Sequence, residues 1–148
     1  MPVMVNQTEI TDDEIYQEMQ YHPAGSADLA IEAASRALVI RTLLLQKAAE
    51  LNLVGDESPD QPHDEATIDA LLSHMIELPE PDDETMLRFY QNNAHRFSKV
   101  DDKTPPFEDL KRGISDYLIE TSWTNAVRSF IQALVQHATI SGIEFKTS

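Results

Sequence analysis

After Pro106, apolar residues return every three or four positions as far as His137: Leu110, Ile114, Tyr117, Leu118, Ala126, Val127, Phe130, Ile131, Leu134 and Val135. A helical period held over so long a run predicts one long helix. Thr104-Pro105 is placed to cap it with proline in the first turn, and Gly113 is its isolated interruption. Four shorter helical patterns precede it. Thr11 with Glu14 spells a capping box, and Ile10 with Ile15 stands where a hydrophobic staple belongs, so a helix from about Asp12 should run until Pro23 and Gly25. Ser26 caps a second, whose stripe is Leu29, Ala33, Ala37, Ile40, Leu44, Ala48 and Leu51, with Gly55 as its stop. The segment from Asp56 to His63 reads as a polar loop. Asp64 then begins a third helix bearing Ile68, Leu71, Leu72, Met75 and Ile76, ending before Pro79. Pro81 opens a fourth, with Asp82, Asp83 and Glu84 at its positive end and Met86, Leu87, Phe89 and Tyr90 behind them.

The two ends read differently. Val3 to Ile10 carries β-branched residues about a polar turn, the pattern of a short strand or small hairpin, and Thr139 to Phe145 alternates like a strand that can pair with Val3 to Val5. The expected fold is therefore mainly α, about five helices in a single domain over 1–148, with a short strand pair formed by the two termini.

Composition bears on function mostly by exclusion. With 26 acidic residues against 11 basic ones the chain carries −15, which repels phosphate backbones and anionic membranes at long range. Neither nucleic acid nor a membrane is an expected partner, and no run of the sequence is long enough to span a bilayer. The first ten residues lack a basic region and an apolar core, so no secretory signal is visible and the cytoplasm is the expected compartment. A mature chain already stripped of a signal reads the same way.

No cysteine is present, and four glycines leave little room for phosphate-cradling loops. The histidines at 22, 63, 74, 95 and 137 form no helical metal pair, and His63 with Asp60, Asp64 and Glu65 lacks the ligand alternation of a calcium loop. Asp12-Asp13-Glu14 and Asp82-Asp83-Glu84 are accounted for by helix dipoles. No catalytic residue, metal or cofactor is expected. What remains is a set of adaptable methionines and aromatic anchors, Met19, Tyr21, Met75, Met86, Phe89, Tyr90, Trp123 and Phe130, which either fill the core or line a groove for apolar segments of another chain.

Several stretches, taken in order, resemble the SurA-like chaperone domain that accompanies parvulin-type peptidyl-prolyl isomerases. Val5-Asn6-Gln7-Thr8-Glu9-Ile10-Thr11 is similar to the family's opening, although glycine commonly stands where Gln7 does. Arg41 to Leu51 is similar to the helix that ends LLLQxAxxLxL. Pro81-Asp82-Asp83-Glu84 with Phe89-Tyr90, Asn93 and Phe97 resembles the segment leading into the isomerase domain, and Pro106 to Lys111 resembles the one following it. Glu18 to Ala24 is similar to cytoplasmic members associated with maturation of nitrogen-metabolism metalloenzymes.

Where the family inserts a parvulin domain of about 100 residues, only the linker 98–105 stands here, so the resemblance brings no catalytic residue with it. It implies a helical chaperone module that binds unfolded or partly folded polypeptides without catalysis. Its alternatives are a dedicated maturation factor for one metalloenzyme and a prolyl isomerase. The long last helix, joined by a short hinge, is also suited to exchange between copies, and a swapped or side-by-side homodimer is expected.

Overall fold

Asn6 adopts the left-handed backbone conformation, φ 56°, that a two-residue turn demands, and it folds strand β1 (Val3–Val5) onto β2 (Thr8–Ile10) with Val3 opposite Ile10. The computed structural model describes residues 3–54, 63–97, 99 and 102–143. It comprises helices α1 (Asp12–Glu18), α2 (Ala27–Glu50), α3 (His63–Met75), α4 (Asp83–Asn92) and α5 (Phe107–His137), followed by strand β3 (Ile140–Ser141). The fold is mainly α with one small antiparallel sheet, in the order β2-β1-β3. By internal packing the chain divides into two units, one made of Met1–Met75 with Arg128–Ser148, the other of Ile76–Val127.

In the first unit the terminal strand pair forms as the alternation predicts, with Met4 opposite Ser141 and Val5 opposite Ile140. Asn6 reinforces it: its backbone N–H donates to the Thr139 carbonyl at 2.7 Å, and its side-chain oxygen accepts from the Thr139 N–H at 3.0 Å. Gln46 of α2 stitches the same turn from the helix side, donating to the Val5 carbonyl and the Thr8 hydroxyl. Strand alternation then places Val3 and Val5 inward, where they join Ile10, Ile15, Ala34, Val39, Leu43 and Val135 in one buried cluster. A second cluster, Leu44, Ala48 and Leu71, packs α2 against α3.

The caps of this unit follow their residues. The Thr11 hydroxyl accepts from the Glu14 N–H while the Glu14 carboxylate accepts from the Thr11 N–H, a complete capping box. The Ser26 hydroxyl accepts from the Leu29 N–H. Two details differ from expectation. Over its first half, α2 buries Ala30, Ala34 and Ser35 and leaves Leu29 exposed, one residue displaced from the expected stripe. Alanines at 30, 33, 34 and 37 mark several faces alike, and the face that can approach its neighbours is chosen by tertiary packing. Gly55, the expected stop, lies outside the described residues, as does the loop 56–62. The helix ends earlier, at Leu51, where Asn52 takes the left-handed conformation. The Asn52 and Leu53 N–H groups return to the Ala49 and Ala48 carbonyls, the double bond pattern of a Schellman cap.

In the second unit, Asp82 caps α4 by accepting from the Thr85 N–H at 2.7 Å. Lys111 of α5 reaches Asp83 in the first turn of α4 at 3.0 Å. α5 begins at Phe107, two residues later than its expected first residue, Pro105, because a residue before proline is pushed out of the helical region and Pro105 and Pro106 stand in series. Past Gly113 it continues without a break to His137.

Candidate functional site

The second unit is where apolar surface stays open. Phe89 and Asn93 follow one another at helical spacing from α4 into its cap, and the short 3-10 turn Ala94–Arg96 carries the chain on to Phe97. Facing them on α5 are Leu110, Gly113, Ile114 and Tyr117, one turn after another. Between the two sets lies a cleft of about 410 Å³ with an almost wholly apolar lining.

Its walls are stiffened by aromatic contacts. The Phe89 ring meets Tyr117 at 5.4 Å and Phe97 edge-on at 6.4 Å. Tyr90 stacks on Phe97 at 5.8 Å and touches Phe107 at 5.6 Å, separations at which ring pairs attract beyond their area burial. The Tyr90 hydroxyl donates to the Pro105 carbonyl at 2.6 Å, tying α4 to the entry of α5. At Gly113 an added Cβ would meet nothing within 4 Å, so this face of α5 is open backbone.

The polar part of the lining is small and organised. The Asn93 side-chain amide donates to the Phe89 carbonyl at 2.9 Å, and its oxygen accepts from the Arg96 guanidinium at 3.2 Å. Among the described residues no carboxylate lines the cleft. Nearby, hydrogen bonds from Thr85, helped by the charge of Arg88, hold the Asp82 carboxyl below the usual carboxylate range. The hydrogen bond and charge of Asp83 push the Lys111 ammonium up.

The eight candidate binding residues divide between the units. In the first, Met19 packs against the strand-and-helix cluster, Phe130 packs against the Leu44–Leu71 cluster, Tyr21 is 69% exposed and Met75 is 40% exposed. In the second, Met86 is buried, Trp123 is half-buried, Phe89 lines the cleft and Tyr90 stands behind it, holding Phe97 in place. Arg96, Leu110, Gly113 and Tyr117 were not among the eight. The signal for Leu110 and Tyr117 was the helical period itself, which marks a stripe but not whether the stripe is covered, and Gly113 stood out as the interruption of that period. Among the described residues no group of three or more acidic or histidine side chains is placed to hold a metal ion, and Asp60 of the His63 cluster lies outside them. Nor, among the described residues, is any helix long and apolar enough to cross a membrane. Comparison with family models, curated proteins and solved structures finds no match.

Proposed function

We propose that this protein is a chaperone that holds unfolded or partly folded polypeptides, by binding alone, and that the cleft of the second unit is a docking place for their apolar side chains. The observation that carries the reading is an open apolar cleft whose walls are rigid aromatics already in contact with one another, so little order has to be created when a client binds. The SurA-like resemblance supports it, because the segment that carries the likeness contributes Phe89, Asn93 and Phe97 to the cleft.

Burying one large apolar side chain contributes roughly 1.5–3 kcal/mol. Since a millimolar dissociation constant corresponds to about 4 kcal/mol, a single site of this kind binds weakly and promiscuously. In this reading the protein works in the cytoplasm. The rival is a dedicated maturation factor, favoured by the −15 charge, which would steer one basic partner in a salt-sensitive way.

The test is light scattering from two unrelated aggregating proteins as this chain is added, across a salt series, with an inert acidic protein as control. Suppression of both clients that survives salt is expected. Suppression of neither would overturn the holdase reading, and a salt-sensitive effect on one alone would favour the rival.

A further inference from the structure

We propose that the cleft of the second unit takes the last residue of a client chain, with its apolar side chain against the aromatic walls and its free α-carboxylate on the Arg96 guanidinium. The inference rests on the client-binding reading and names what that site prefers.

Acidic residues outnumber basic ones by 26 to 11 in this chain, yet among the described residues the one charged side chain lining the cleft is a cation. Arg36, Arg41 and Arg88 each hold a carboxylate at 3.2 Å or less. Among the described residues Arg96 has no such ion pair, and its contact is the Asn93 oxygen at 3.2 Å. That contact fixes the guanidinium at the cleft and occupies one of its five N–H donors, leaving the fork available for a carboxylate, which it matches in geometry. Asn93 is anchored in turn on the Phe89 carbonyl, so the cation and the aromatic wall are held as one piece.

Size and stereochemistry select the chain end over an internal acid. The volume of about 410 Å³ accommodates one or two large side chains rather than a long segment. In an extended client, neighbouring side chains point to opposite faces. An aspartate beside the docked residue would therefore point away from Arg96, and one two residues along would lie about 6.6 Å further on. The terminal carboxylate sits on the same Cα as the docked side chain and reaches both features at once.

The experiment is fluorescence anisotropy of the full chain with a labelled hexapeptide ending in phenylalanine, made once as the free acid and once as the amide. The free acid should bind about two- to fivefold more tightly, as expected for a solvent-accessible pair. Arg96→Gln should erase that difference, and Gly113→Met, which places a side chain in the cleft, should weaken both peptides. Equal affinities in the unaltered protein, or a preference that survives Arg96→Gln, would overturn the inference and leave the holdase reading standing. Absence of binding to either peptide, with aggregation still suppressed, would overturn it as well. Loss of both peptide binding and suppression would remove the chaperone reading itself.

Discussion

The first unit buries Val5, Ile10, Val39 and Leu71 to 1% exposure or less, spread over two clusters that strands and helices close from several sides. The second, among its described residues, buries Met86 and Ile114 and leaves Phe89, Tyr90 and Phe97 half-covered, with Tyr117 51% exposed. Small units have too much surface for their volume to enclose every large side chain. The second unit gains order from ring-to-ring contacts and two tethers, Tyr90 to Pro105 and Lys111 to Asp83. An element arranged this way keeps apolar area accessible without collapsing it, which a binding surface requires and a folding core does not.

Paired truncations probe that contrast most strongly. Leu71→Ala should cost about 2–5 kcal/mol in a denaturant titration, because its site is fully enclosed. Tyr117→Ala should cost on the order of 1 kcal/mol, since half its surface is already wet. Equal losses would break the comparison. Tyr90→Phe isolates one tether: it keeps the stack on Phe97 and removes the hydrogen bond to Pro105, and should lower stability by about 1 kcal/mol. Gly113→Ala should move the other way, by about 0.5–1 kcal/mol, because the new methyl group meets nothing and the helix gains propensity.

The smallest expected effect is electrostatic. Asp82 has its folded pKa lowered from 3.8, so its contribution is present in full above that value and is lost as pH falls through the lower folded value. Thermal unfolding followed down to pH 3 should show this loss. Asp82→Asn, which still caps the helix but does not titrate, should flatten the curve slightly in that window.

Much of this molecule is written locally. Thr11 with Glu14, Ser26, and the acids opening α4 are capping signals that depend on neighbours three residues away; the first two mark their helix starts where expected, and α4 begins two residues after Pro81, with Asp82 as its cap. The pairing of the two ends was legible from alternation alone, although Glu144 and Phe145 lie outside the described residues. What could not be read is what depends on distant partners. The face of α2 that turns inward is not distinguishable among alanines 30, 33, 34 and 37. The stop at Asn52 uses a residue tolerated in the left-handed region rather than the glycine further on. The cleft likewise needs α4 and α5 side by side before Arg96, Gly113 and Tyr117 share a wall. Phe89 could be named from its type, while Arg96 in a sequence is one cation among eleven.

The pairing of Met4 with Ser141 also sets a timetable for the nascent chain. A chain emerging from the ribosome as far as residue 127 carries the whole of the second unit, whose contacts lie within residues 76–127. It still lacks β3 and Val135, the pieces that flank β1 and complete the cluster around Val3 and Val5. Closing a loop of that length costs entropy that local contacts do not. β1 therefore meets β2 early, through the local turn at Asn6, but gains its second neighbour, β3, only at the end, and until then the cluster around Val3 and Val5 lacks Val135.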